Sequence, residues 1–459
     1  MTEQEMDFDF IGIRKAHVYL RDQLAGILEK KSTEEFIFKY FDTYIEKGFP
    51  SIAISLPIEK KIFLTKKLHP FFDNMIAEGW LLAHTEQIFR IDKSNRFALL
   101  MATGTAPIGA VRVVPLGDNG LEISLQNHYK DNLKIGDMGI YTYIPNEKPE
   151  FCPYCLESLT EKQKLKSDFH PQCAKNMWGS TRKLKFYFDK KKPMSSFIKV
   201  IYGGSISGYQ KKGLFKLEGG IVKPISFGAQ YILKPQGDLN ELPENEHLTM
   251  AIAKKLNFDI PPFTMLKFEK LGNVFAVKRF DINKDNEMRR MEDMGQILSK
   301  EVSDKYSSSC EKVGQVISDN SSAPPIDLYS FWRRILFAYF TANGDMHLKN
   351  WSLLEHKELN GSMALSPCYD LLNTRLALPN ESIDIGIAIN GKRKNLQRSY
   401  FIKLGETLKI SDTKIKQTLD DVHNWLNVAR EMIPRSYLNK ESQEEYLKII
   451  NERYQKLIK

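Results

Sequence analysis

The sequence predicts an α+β protein in two lobes, one strand-rich and one mostly helical, behind an N-terminal α/β subdomain. Three observations lead there. Residues 11 to 115 mix short β-like runs with helical stretches, residues 184 to 281 are strand-rich around one helix, and the pattern from there to Lys459 is mostly helical. A chain of 459 residues also exceeds one compact core and implies roughly two to four domains.

In the first unit, Val18, Leu20, Leu24, Ile27 and Phe36 lie in β-like runs around polar turns. Residues Leu68 to Leu82 read as a helix, and Phe97 to Val114 as further buried structure. From Leu116 to Pro149 the composition turns to Gly, Asn, Asp, Lys and Pro, which predicts an irregular connection with one strand at Gly139 to Ile144. A compact Cys/His segment follows at Phe151 to Gly179. In the strand-rich part, Leu248, Ala251, Ile252 and Leu256 form one apolar stripe and predict a helix over Glu244 to Leu256. The helical part is broken by SDNSSAPP before Ile326 and by a Gly/Pro-bearing stretch from Glu358 to Lys392. The expected domains are therefore 1–115, a connector over 116–180, a strand-rich lobe over 181–282 and a helical lobe over 283–459.

With 42% hydrophobic and 27% charged residues, wholesale disorder is excluded. A net charge of +9 favours acidic partners such as nucleotides or nucleic acid, although lysines this scattered also suit an ordinary solvated surface. The uncharged run Phe97 to Val111 is shorter than the roughly 20 residues of a spanning helix and is interrupted by Gly104, Pro107 and Gly109. With an acidic N-terminus lacking an apolar leader segment, the expectation is a cytoplasmic protein with no membrane contact. Five cysteines, an odd number, argue against a disulfide framework.

The most informative stretch is Asn343 to Asn350, NGDMHLKN, after the apolar run FWRRILFAYF. Phosphoryl transfer needs a carboxylate near the accepting hydroxyl and oxygen ligands on Mg²⁺, and protein kinases carry that Asp and Asn at this spacing on one loop. Asp345 and Asn350 take those places, Lys349 between them is a candidate charge clamp on the γ-phosphate, and Asp370 in SPCYDLL suits a second Mg²⁺ ligand. Upstream, Lys234 in the strand-like YILKP can reach the α- and β-phosphates, and Glu246 on the following helix can hold that lysine. The chain order Lys, Glu, Asp, Asn, Asp is that of a kinase, and it points to a protein-kinase-like two-lobed fold binding ATP and Mg²⁺. Single residues keep second readings. His347 is either a catalytic group or a structural histidine bracing the loop through hydrogen bonds. Glu246 also reads as an ordinary exposed helix carboxylate, and Lys349 as a helix-surface lysine.

These motifs resemble those of HipA-family Ser/Thr protein kinases, the toxin half of a bacterial toxin–antitoxin pair. GGSISGYQKK at Gly203 to Lys212 is similar to the family's loop over the ATP phosphates, which the resemblance assigns to Ser207, Gly208, Gln210 and Lys212. VKRFD resembles the hinge that holds adenine and ribose, implying roles for Lys278, Phe280 and Asp281; Lys278 replaces the hinge glutamate and leaves the backbone as adenine contact. EDMGQ at Glu292 to Gln296 and KY at Lys305 to Tyr306 continue the pattern. In the first third, HPFFDNMIAEG at His69 to Gly79 and IGAVRVVP at Ile108 to Pro115 resemble the family's N-terminal module, with Ala77 breaking its LPEG motif. Some relatives carry the two parts as separate HipS-like and HipT-like proteins, so this chain resembles their fusion. The resemblance further implies autophosphorylation at Ser205 or Ser207, an aminoacyl-tRNA synthetase as protein substrate, and a HipB-type helix-turn-helix antitoxin with indirect operator DNA contact. The two serines also suit plain hydrogen bonding in a phosphate-binding turn.

Cys152, Cys155, His170 and Cys173 form C-x₂-C-x₁₄-H-x₂-C, a tetrahedral set suited to structural Zn²⁺. Their alternative is burial as small residues among Phe151, Phe169 and Trp178. For the whole chain, two other readings compete with a protein kinase. One is a phosphoinositide-type lipid kinase, which no amphipathic or polybasic segment supports. The other is a catalytically inactive kinase-like binding module or corepressor, which would have no need for the intact Lys/Asp/Asn/Asp set.

Overall fold

In β1 (Lys15–Leu20) the residues Ala16, Val18 and Leu20 are buried and those between them are not, the period of two that a strand imposes. The computed structural model describes residues 9–123, 138–144, 148–189, 191–198, 210–225 and 227–459. With β2 (Gln23–Ser32), β3 (Glu35–Tyr40), β4 (Ile62–Thr65) and β5 (Val111–Leu116), β1 forms an antiparallel sheet of order β4-β3-β2-β1-β5. The helix Arg96–Thr103, capped by Asn95 and buried from Phe97 onward, closes the core of this N-terminal module.

The helix expected over Leu68 to Leu82 is two, Pro70–Asp73 and Gly79–Phe89. Between them the chain leaves helical geometry, with Gly79 at a φ of +58°, and this break carries Asn74 and Glu78 toward the Asn343–Asn350 loop.

The second sheet contains β6 (Met138–Tyr141), β7 (Lys185–Asp189), β8 (Gly213–Glu218), β9 (Ile221–Pro224), β10 (Tyr231–Pro235), β11 (Phe263–Phe268) and β12 (Gly272–Lys278), ordered β11-β12-β10-β8-β9-β7-β6. This corrects the expected connector over 116–180. Within it, β6 is an edge strand of the sheet, and Cys152, Tyr154, Phe169 and Trp178 share one core with Phe186, Phe188 and Phe215. A segment so short buries too little apolar surface by itself and takes its core from the sheet.

The helix Leu242–Lys255 is buried at every residue from Leu242 to Ala253, beyond the single stripe expected, because it lies between β12 and the helix Asp412–Met432. The helical lobe is built on Pro324–Phe340, whose Phe337 and Phe340 pack on Trp425. That helix stops where Ala342 adopts a φ of +54° and the Asn343 N–H turns back to the Ala338 carbonyl at 2.7 Å. β13 (Met291–Asp293), β14 (Ser352–Glu355) and β15 (Met363–Leu365) form a small sheet beside it. Among the described residues no helix is long and apolar enough to cross a membrane.

Candidate active site

A cleft of about 690 Å³ lies between the second sheet and the helical lobe, a size suited to a nucleotide-scale ligand. Gln210, Lys212, Lys234, Glu246, Lys278, Phe280, Asp281, Asp345, His347, Lys349, Asn350 and Asp370 all line it, as do Asn74, Pro107 and Ile108 of the N-terminal module.

Its centre is a buried charge cluster. The Lys234 ammonium on β10 donates to Glu246 Oε1 at 2.6 Å and to Asp370 Oδ1 at 2.5 Å. Glu246 is therefore a buried partner, not the exposed helix carboxylate considered from sequence. Burial raises the Asp370 carboxyl, but Lys234 and Lys212 outweigh it and hold the group ionised far into acid. Burial likewise lowers Lys234, and Asp370 with Glu246 reverses this, so the ammonium stays charged. For Glu246, burial prevails over the pull of Lys234 and raises the carboxyl. Asp370 holds a φ of +52°, a left-handed conformation that costs a non-glycine residue free energy and here aims a carboxylate into the cleft. Lys212 differs from Lys234. It is equally buried and makes no hydrogen bond or ion pair among the described residues, and burial pushes its ammonium down.

The Asn343–Asn350 loop is tied into one network. Asn350 Nδ2 donates to the Asp345 carbonyl at 2.8 Å, the Asp345 N–H to Asn343 Oδ1 at 3.2 Å, and Asn343 Nδ2 to the Asp370 carbonyl at 3.3 Å. The Asn350 Oδ1 accepts no hydrogen bond among the described residues and stays available to a ligand. Tyr306 donates its hydroxyl to Asp345 Oδ1. His347 lies edge-on to Tyr306 with ring centroids 5.3 Å apart, and burial pushes the imidazole down to about 4, so it is neutral at pH 7. Its Nδ1 has no hydrogen-bond partner among the described residues, and the backbone N–H of His347 braces the loop, reaching the Asp345 carbonyl at 2.8 Å. Gly386 packs so closely on this loop that a Cβ there would stand 2.3 Å from the Met346 carbonyl.

Several expected residues are placed differently. The Lys349 ammonium is neither a surface group nor directed at a phosphate position: it pairs with Glu78 at 2.8 Å and donates to the Asn74 carbonyl at 2.9 Å, because the N-terminal module covers it. Asp281, expected among the nucleotide contacts, accepts from Arg279 at 3.0 and 2.6 Å and from the Gly109 N–H at 2.8 Å. The N–H groups of Lys278 and Arg279 serve the Pro262 and Gln230 carbonyls, which leaves the backbone contact expected for adenine to other backbone atoms of this segment. The Phe280 ring faces Tyr369 at 5.6 Å across the cleft. Gln210 lends its carbonyl to Trp80 Nε1 at 2.8 Å. Ser205, Ser207 and Gly208 lie outside the described residues.

Away from the cleft, Cys152, Cys155, His170 and Cys173 converge with their ligand atoms within 4.8 Å of one another. Cys155 Sγ is 3.4 Å from His170 Nδ1 and 3.8 Å from Cys173 Sγ, and Cys173 Sγ is 3.9 Å from that Nδ1. A tetrahedral zinc ion would place its sulfur ligands about 3.8 Å apart and sulfur and nitrogen about 3.5 Å apart. His170 Nε2 donates to the Ser158 carbonyl at 3.1 Å, which directs the other nitrogen at the thiols as metal-binding histidines require. The plain burial reading of these cysteines does not account for that convergence.

Tyr306, Glu78, Asn74 and Gly386 were not singled out from sequence as site residues. KY was visible as a motif, but only folding shows that its tyrosine bonds Asp345. Asn74 and Glu78 lie inside the HPFFDNMIAEG motif, but only folding shows that they meet Lys300, Lys305 and Lys349.

Known proteins resemble this chain in sequence and in fold. Residues 16–114 match the HipA N-terminal domain and residues 204–429 the HipA-like C-terminal domain. A Sinorhizobium fredii protein, named provisionally as the kinase Y4dM, is 32% identical over 360 residues, covering 74% of this chain and 72% of its own. A Haemophilus influenzae protein, also named provisionally as a kinase, is 29% identical over 246 residues, 47% of this chain and 71% of the relative. A second protein of that organism is 33% identical over 101 residues, 22% of this chain but 92% of its own length. In three dimensions the chain resembles one from the Shewanella oneidensis toxin–antitoxin complex of HipA, HipB and operator DNA, with a TM-score of 0.65, 18% identity and 96% of each chain covered.

Proposed function

Because the chain belongs to the HipA family, we propose that it is an ATP- and Mg²⁺-dependent serine/threonine protein kinase and the toxin of a toxin–antitoxin pair. The observation that carries this reading is the Lys234 ammonium held between Glu246 and Asp370, with Asp345 and Asn350 on the same cleft wall. Bound ATP and Mg²⁺ supply the transferable phosphoryl group and the cation that neutralises its charge. Lys234 and the unpartnered Lys212 hold the polyphosphate, and Asn350 Oδ1 and the ionised Asp370 are the oxygen ligands for Mg²⁺. Asp345 orients the target hydroxyl and takes its proton, with Tyr306 fixing the carboxylate. Phe280 and Tyr369 offer faces to the base.

By family likeness, the protein target is an aminoacyl-tRNA synthetase, Ser205 or Ser207 is autophosphorylated, and a HipB-type helix-turn-helix protein restrains the kinase beside operator DNA. Added phosphate at those serines would bring roughly two negative charges to the phosphate subsite and oppose nucleotide binding. The four-residue Cys/His cluster fits a structural Zn²⁺.

The test is incubation of purified protein and of a cell lysate with labelled ATP and Mg²⁺. Label on serine or threonine, in the protein itself and in one lysate protein, is expected, and Asp345→Asn should abolish it while retaining nucleotide binding. Nucleotide binding without transfer by the unaltered protein would establish an inactive module instead, and label in lipid alone would establish a lipid kinase.

A further inference from the structure

The Cys/His cluster is joined to the cleft by one carbonyl. Pro153, between Cys152 and Cys155, presents its oxygen to three donors: His247 Nε2 at 2.7 Å, Thr264 Oγ1 at 3.1 Å and the Met265 N–H at 3.2 Å. His247 is fully buried and follows Glu246 directly on the helix Leu242–Lys255. Thr264 and Met265 belong to β11, whose neighbour β12 places Phe275 opposite Lys234. The Cys152–Cys155 turn thus bonds both to the helix that carries Glu246 and to the sheet that carries Lys234.

The same turn reaches the helical lobe. Leu156 is buried in that lobe's core, Arg435 bonds Glu157 at 3.0 Å, and Lys148 donates to the Pro434 carbonyl at 2.8 Å. Within the turn, the Leu156 N–H returns to the Cys152 carbonyl at 2.8 Å and the Cys152 N–H to the Glu157 carbonyl at 2.9 Å. A metal that held the three thiols and the imidazole together would fix this turn further, and with it the orientation of Pro153, beyond what the core shared with the second sheet provides.

We propose that a metal ion on Cys152, Cys155, His170 and Cys173 positions the helix Leu242–Lys255 through Pro153 and His247, and so couples metal occupancy to the Lys234–Glu246 pair and to nucleotide binding. His247 acts through Glu246 and is a positioning residue. The coupling is reciprocal: nucleotide tightens metal by the factor with which metal tightens nucleotide. This inference rests on the kinase and zinc readings above.

The full-length protein, stripped of metal under reducing conditions, is titrated with Co²⁺ or Zn²⁺. Amide exchange over Leu242–Lys255 and affinity for a non-hydrolysable ATP analogue are then measured. Co²⁺ should give the visible absorption of a tetrahedral thiolate site. Metal should slow exchange in that helix and tighten the analogue about tenfold. His247→Ala should retain the cobalt spectrum but lose both responses, and His247→Gln, which keeps a donor for Pro153, should recover much of them. Metal that binds without changing helix exchange, or a reduced protein that takes up no metal, overturns the proposal. If stripping unfolds the chain, the metal-loaded His247 variants decide: unchanged helix exchange in His247→Ala overturns it, and faster exchange rescued by His247→Gln supports it. Helix exchange that follows metal while no form binds nucleotide supports the positioning role and removes the kinase reading alone.

Discussion

Glu78 of the N-terminal module and Lys349 of the Asn343–Asn350 loop form a 2.8 Å ion pair with side-chain exposures of only 9% and 3%. Lys305, beside Tyr306, reaches the same carboxylate at 3.3 Å. The N-terminal module therefore supplies a counter-charge for the loop that carries Asp345. Burial lowers Lys349, but Asp293 and Glu78 prevail and keep it charged. Glu78→Gln leaves that buried ammonium with Asn74 and with Asp293 at 3.9 Å, so stability should fall by about 3 kcal/mol. Urea unfolding checks this, and an unchanged midpoint would show that the pair contributes nothing.

Lys212 should behave in the opposite way. A buried ammonium without a hydrogen-bond or ion-pair partner among the described residues opposes folding and favours an incoming anion. Lys212→Met is expected to raise stability by about 1 kcal/mol while weakening ATP-analogue binding at least tenfold. Thermal unfolding and calorimetric titration of the same sample check both. Loss of stability together with full affinity would refute the assignment of Lys212 to the polyphosphate.

Tyr306→Phe keeps the ring against His347 and the Arg393 guanidinium, and removes only the hydroxyl on Asp345. The expected result is a phosphoryl-transfer rate lowered about tenfold with nucleotide affinity unchanged, as for a group that orients the base. A faster variant would instead identify the hydroxyl as a plug on Asp345.

Acid sensitivity follows from three imidazoles. Burial pushes His69, His247 and His347 down to about 4 from the ordinary 6.5. Between those values the unfolded chain binds protons that the fold does not, so stability falls as pH drops through the window, by up to about 3 kcal/mol for each. Glu292 acts with the other sign. Burial raises it to about 7 from 4.5, and its contribution declines as pH rises between them. The three imidazoles, opposed by Glu292 and by the likewise raised Glu244, Glu246 and Asp293, should lower the denaturant midpoint between pH 6.5 and 4.5, and a midpoint that rises instead would mean that these rings are not neutral in the fold.

Individual segments are legible in the sequence where their chemistry is local. Lys234, Glu246, Asp345, Asn350 and Asp370 were legible because residue type, spacing and chain order together narrow what they can do, and they line one cleft. The convergence of Cys152, Cys155, His170 and Cys173 was legible for the same reason. Lys349 and Asp281 were assigned to nucleotide because they lie inside those motifs, yet their partners, Glu78 and the Gly109 N–H, come from the N-terminal module. The helix expected through Leu68 to Leu82 failed at Asn74 to Glu78, where contacts with the other lobe outweigh local helical preference.

Taken alone, the residue order determined which groups are able to bind phosphate, magnesium or zinc, since donor chemistry and short-range spacing are written in it. Only the tertiary structure decided which charge meets which: that Lys349 is neutralised by Glu78 while Lys212 makes no hydrogen bond or ion pair among the described residues, and that Pro153 joins the cysteine turn to the helix of Glu246. The reason is that ion pairing and hydrogen bonding depend on separation in space, and modules far apart along the chain acquire that separation only by packing together.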